Sequence, residues 1–127
     1  MNFIPSSEEW TELLLWVDEQ NGGNGSNNPY SSYTAGRYLK AANGWFGCNG
    51  TDDYGFSILP SGACTSSGNF HSAGGRQAHW WTTNEIASEP WGAVVRLATC
   101  DASTSEEVVS WFHSPKTASL GIRCVKN

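Results

Sequence analysis

Three histidines, His71, His79 and His113, are the side chains whose charge ordinarily changes near neutral pH. They lie 8 and 34 residues apart, not at the i, i+4 spacing that sets two imidazoles on one helix face for a metal. No serine stands in a Gly-x-Ser-x-Gly turn, so no activated nucleophile is marked. Glu85, Glu89, Asp101, Glu106 and Glu107 supply carboxylates, but a glycosidase pair is defined by a distance in space that chain spacing does not set. Solvated surface acids are the plainer reading. The glycines between Gly22 and Gly25 follow a helical pattern and lack a Lys-Ser/Thr ending, which excludes a phosphate cradle. Nothing here marks an enzyme.

Oxygen donors are plentiful in the loops. Asn49, Asp52, Asp53, Asn84, Glu85 and Glu89 are the ligand types that calcium takes, without EF-hand spacing. No cofactor is expected, with calcium as the possible exception. Four cysteines, Cys48, Cys64, Cys100 and Cys124, show no CxxC spacing, so a zinc site is a poor reading. An even count in a loop-rich chain suits two disulfides, with buried thiols as the other reading. The expected bridges are Cys48–Cys64 and Cys100–Cys124, each closing a short loop. Disulfides imply an exported protein. Met1–Pro5 has neither a basic region nor a long apolar one, so the chain reads as a mature exported domain or as a cytosolic one.

Aromatics are the strongest signal. Trp45-Phe46, Trp80-Trp81, Trp91 and Trp111-Phe112 exceed what one small core holds. An exposed tryptophan beside amides and acids suits the apolar face of a sugar, whereas packing under a loop explains any single ring equally well.

These residues need a frame. Ser6-Ser7-Glu8-Glu9 is a capping box, and Trp10, Leu13, Leu14 and Val17 follow as one apolar stripe. The pattern predicts a helix from Ser6 to Asp18–Gln20, ending in the Asn/Gly-rich loop up to Pro29. A shorter helix is expected over 32–39. Strands are expected over 56–59, 79–83, 93–99, 106–112 and 120–126, between turn residues. Helices followed by short strands read as one α+β domain, 1–127, with an antiparallel sheet. The net charge of -5, with seven scattered Lys and Arg, excludes nucleic acid as a partner. No apolar run approaches ~18 residues, so no segment inserts into a membrane as a helix.

Taken in order, IPSSEEW (4–10), Leu39-Lys40-Ala41, Gly44-Trp45, TDDYGFSILP (51–60), WTTNE (81–85), Trp91, Arg96-Leu97 and GIRCVK (121–126) resemble the Fibrobacter succinogenes major paralogous domain. The resemblance covers nearly the whole chain. TDDYGFSILP and GIRCVK are its specific pieces. It implies a C-type-lectin-like fold in its formylglycine-generating-enzyme form, with two helices flanking an irregular antiparallel sheet. It also implies a secreted or cell-surface domain of gut or rumen bacteria, for which the family supplies no catalytic residues. Relatives on this fold include diversified ligand binders.

There are departures from these patterns. WTTNE stands where the family usually reads W-S-S-T-E, and a further segment usually precedes the equivalent of Ile4-Pro5. Cys48, Cys64 and Cys100 are not hallmarks of the family. Glu89-Pro90-Trp91 follows Trp81, so the calcium site of sugar-binding lectins does not transfer.

The expectation is a non-catalytic extracellular domain that binds a glycan or a protein. Trp45, Phe46, Trp91, Trp111, Phe112 and His113 form the candidate ligand surface, and Trp81 lies in the core with Trp80 facing the other way. The rivals are a structural adhesion module and a Cys-dependent enzyme of the formylglycine-generating type.

Overall fold

A computed structural model describes residues 2–22, 31, 32, 34–65, 67–71, 75–85, 93–99 and 109–126; for 31, 32, 71, 93–99 and 109–113 it describes the backbone alone. Helix α1, Ser7–Gln20, begins where the sequence says it must. Ser6 Oγ accepts from Glu9 N (3.1 Å) and Glu9 Oε2 accepts from Ser6 N (2.6 Å), so two otherwise orphaned amides are satisfied reciprocally. Trp10, Leu14 and Val17 are buried from the apolar stripe. The second helix, α2, is shorter than expected, Ala35–Leu39, and buries Ala35, Gly36 and Leu39.

Among the described residues there are eight strands, in chain order β1 (Asn2–Phe3), β2 (Ser31–Ser32), β3 (Ala63–Cys64), β4 (Phe70–His71), β5 (Gln77–Glu85), β6 (Ala93–Thr99), β7 (Val109–Ser114) and β8 (Val125–Lys126). The main sheet is antiparallel, ordered β2-β7-β6-β5, and two short ribbons pair β1 with β8 and β3 with β4. This is the mixed α+β architecture that the sequence implies. Residues 93–99 form a strand at the expected limits. Residues 56–59 do not: Ser57 has φ 54°, outside the extended region, and only a parallel bridge ties Ile58 to Lys40.

Strand β5 carries the frame. Its side chains alternate, so Trp80, Thr82 and Asn84 share one face. That face meets α1. Trp80 stacks on Trp10 with ring centroids 5.3 Å apart and planes 23° from parallel. Asn84 Oδ1 accepts from Ser7 N (2.6 Å), and its amide donates to the Glu8 carboxylate (3.1 Å). The expectation for the tryptophan pair is therefore reversed: Trp80 is the core ring, 6% exposed, and Trp81 is half-buried. Alternation demanded one ring on each side, and the Asn84 cap decides which side the helix covers.

The outer edge of β5 is not left open. Gly62 N, Gly121 N and Trp81 N form bonds between it and two passing segments, and Thr83 N donates to Pro5 O. An unpaired edge would offer a template for another chain. Gly121 is required in this arrangement, because a Cβ there would lie 3.0 Å from His79 O and 3.2 Å from the Trp80 ring. In urea denaturation Trp80→Ala is expected to cost about 3–5 kcal/mol, and Trp81→Ala less than half of that. The opposite ranking would return Trp81 to the core.

Candidate functional site

The expected ligand surface is not one surface. Trp45 is buried: its Nε1 donates to Ile58 O (2.7 Å), and Lys40 Nζ sits 4.6 Å from its ring centroid. A ring held in this way is core, so Trp45 is corrected from ligand contact to framework. Phe46, its neighbour, is 63% exposed beneath the Arg76 guanidinium. Trp111, Phe112 and His113 lie on β7 opposite Arg96, Val95 and Val94, where the backbone alone is described. Trp91 and Glu89 fall outside the described residues.

The oxygen donors considered for calcium act as braces. Asn49 Oδ1 accepts from Trp45 N, Asn84 caps α1, and Glu85 pairs with Lys116 at 3.3 Å. Among the described residues, no group of three or more His, Cys, Asp or Glu converges. The cysteine pairing is corrected as well. Cys64 and Cys124 are free thiols, so neither Cys48–Cys64 nor Cys100–Cys124 forms. Cys64 lies in the β3–β4 ribbon, and Cys124 lies outside it, just before β8. Cys48 is disulfide-bonded.

The structure instead forms a groove from segments that had looked like framework. Pro5, Glu9, Trp10 and Leu13 line it together with Phe56 and with Arg123, Cys124 and Val125, around a volume of about 210 Å³. Three motif segments, IPSSEEW, TDDYGFSILP and GIRCVK, thus meet at one place. The charged groups here are already engaged. Glu9 closes the capping box. Arg123 Nη2 donates to Phe56 O (2.5 Å), and its guanidinium lies 4.3 Å from the Phe56 ring centroid. Trp10 meets Phe56 edge-on at 5.8 Å. Trp10 Nε1 is buried and, among the described residues, has no hydrogen-bond acceptor. A buried N–H without a partner costs about 1–3 kcal/mol.

The loop that presents Phe56 is locked by Asp52. Its carboxylate accepts from Ser57 N (2.7 Å) and from Ser57 Oγ (2.5 Å), while Gly55 N donates to Asp52 O (3.1 Å). Asp52 and Ser57 both take positive φ, 52° and 54°, a strained state that persists only where other contacts impose it. The hydrogen bond from the Ser57 side chain, then that from its backbone, holds the Asp52 carboxyl below its ordinary value of 3.8; the Arg123 charge acts in the same direction.

Sequence reasoning missed the groove because it sought exposed aromatics in loops and took IPSSEEW and GIRCVK as framework. The available signal was charge: Glu9 and Arg123 have opposite signs and lie within motif segments from opposite ends of the chain.

Two outcomes follow. Unfolded without reductant, the protein is expected to yield two alkylated thiols, at Cys64 and Cys124; mapping that finds either a Cys48–Cys64 or a Cys100–Cys124 bridge overturns this. A folded-state carboxyl pKa below the unfolded value stabilises the protein above the unfolded pKa, and that contribution is lost as pH falls through the folded pKa. Asp52→Asn should therefore be less stable than wild type above about pH 4 and converge with it as the pH falls towards 2. Parallel stability–pH curves would remove the role assigned to Asp52.

No curated protein and no solved structure matches the chain. A match to the family model of the Fibrobacter succinogenes major domain extends over residues 3–126, and the chain belongs to that family.

Proposed function

We propose that the protein is a secreted or cell-surface bacterial domain that binds a glycan or protein ligand without catalysis, on a C-type-lectin-like frame. The observation that carries this reading is the groove. Its lining is mostly apolar and aromatic, the charges beside it are engaged in structural bonds, and the Cys124 thiol is the one reactive group on it, so it offers chiefly shape and burial. The frame reading draws on the two helices, the antiparallel sheet and the pairing of β1 with β8, which brings the two ends of the described chain together. A disulfide at Cys48 suits an oxidising compartment.

The rival adhesion-module reading draws on exposed Phe70, Leu59 and Ile122, which would serve protein contacts. The Cys-dependent alternative predicts at least two free thiols; Cys64 and Cys124 are free, and of these Cys124 lines the groove.

The Trp10 indole N–H resonance is the direct reporter. In titrations of isotopically labelled protein with glycan and peptide pools, a ligand that enters the groove should shift that resonance along with the Leu13 methyls. A ligand that binds while both stay fixed places the site elsewhere, and Leu13→Glu should abolish groove binding while the fold, checked by near-ultraviolet dichroism, persists.

A further inference from the structure

The groove does not stop at Leu13. At 100° per residue, Glu9, Glu12, Leu13, Trp16, Glu19 and Gln20 fall on one face of α1, beside the buried stripe. Trp16 is 47% exposed and meets Tyr54, 40% exposed, at 5.1 Å with planes 66° apart. Tyr54 is held in place. The Asp52-locked loop carries it, and Asn21 Nδ2 donates both to its hydroxyl (3.0 Å) and to Val17 O (2.8 Å). An aromatic pair is thus fixed at the far end of the face that begins in the groove.

Among the described residues, three aromatic rings are matched with cations of the same chain: Trp45 with Lys40, Phe46 with Arg76 and Phe56 with Arg123. Among the described residues, Trp16 and Tyr54 have no such cation. Their surroundings are acidic: Glu12 and Glu19 share the face of Trp16, Asp53 adjoins Tyr54, and α1 carries no basic residue. A cation over an aromatic face gains from the ring quadrupole, and carboxylates nearby strengthen that attraction.

Resting on the binding-domain reading above, we infer that this face of α1 takes an extended basic peptide of a partner protein. An apolar side chain enters the groove, and a Lys or Arg lies against Trp16 and Tyr54. The observations disfavour a sugar chain here. Rings 66° apart do not make a flat platform for successive pyranoses, and the groove has few polar groups to meet hydroxyls. Arg123, the one basic residue on the groove among the described residues, does not oppose the ligand strongly, because it is stacked on Phe56 and faces the Asp52 charge.

The test is fluorescence anisotropy with a fluorescein-labelled peptide GKLKFKLKG, against its acidic counterpart GELEFELEG and a neutral cello-oligosaccharide. The basic peptide is expected to bind, and the acidic one not. Trp16→Ala should weaken binding about tenfold or more, as for an aromatic anchor. Glu12→Gln combined with Glu19→Gln should weaken it several-fold and flatten its salt dependence. All three positions are exposed or half-exposed on the helix surface, so dichroism should show an unchanged fold. Equal binding of both peptides overturns the charge argument. Peptide binding that Trp16→Ala leaves intact removes this site while the binding-domain reading stands. Binding of the oligosaccharide alone overturns the ligand class and leaves that reading standing, and binding of none of the three overturns the inference.

Discussion

The stack of Trp10 on Trp80 is the contact from which the rest of the structure takes its positions. It joins the helix to the longest strand through two of the largest side chains in the chain, and its near-parallel rings fix both the height and the rotation of α1 over the sheet. Asn84 fixes the third coordinate by capping the helix from the same strand. With the helix so held, Leu14 and Val17 have nowhere to face but inward, and Glu9, Leu13 and Trp16 lie along the flank. The groove is a by-product of that rotation: the helix covers one face of β5 and leaves its own side open to Phe56 and Val125.

The second constraint is local and strained. Asp52 and Ser57 hold left-handed backbone that neither residue prefers, and the Asp52 carboxylate bridges the ends of the turn between them. One result is Phe56 turned to the groove under Arg123 and Tyr54 turned to Trp16. Another is that Ile58, just past the strain, still reaches the Leu39 and Ala41 backbone, so the loop is pinned at its far side too. Strain of this kind is kept where it fixes a side chain that packing alone would leave mobile.

Parts of this were legible in the sequence and parts were not, for definite reasons. Helix α1 was legible to its cap, because a capping box and a stripe are both local patterns and nothing tertiary contradicts them. The strand over 93–99 was legible from its β-branched run. The tryptophan pair was only half legible. Period two says that one of Trp80 and Trp81 faces the helix, but the choice belongs to Asn84 and its partner Ser7, 77 residues away. Residues 56–59 looked like a strand because Phe, Ile and Leu sit among turn residues, and backbone φ at Ser57 was invisible to that pattern. Trp45 looked like surface because glycines flank it, yet one indole bond to Ile58 O takes it inside. Trp16 could have been found, since it falls off the apolar stripe of its own helix.

The ribbon of β1 with β8 pairs Asn2 with Lys126 and Phe3 with Val125. Those two pairs lie at the point where a pull on both ends of the domain would act. An antiparallel ribbon loaded from adjacent ends opens one pair at a time, like a zipper, rather than shearing several bonds together. A domain anchored at both ends would therefore yield first at this ribbon, and the wall of the groove formed by Val125 would move with it. The shape of the groove would then depend on mechanical load through four residues at the edge of the fold.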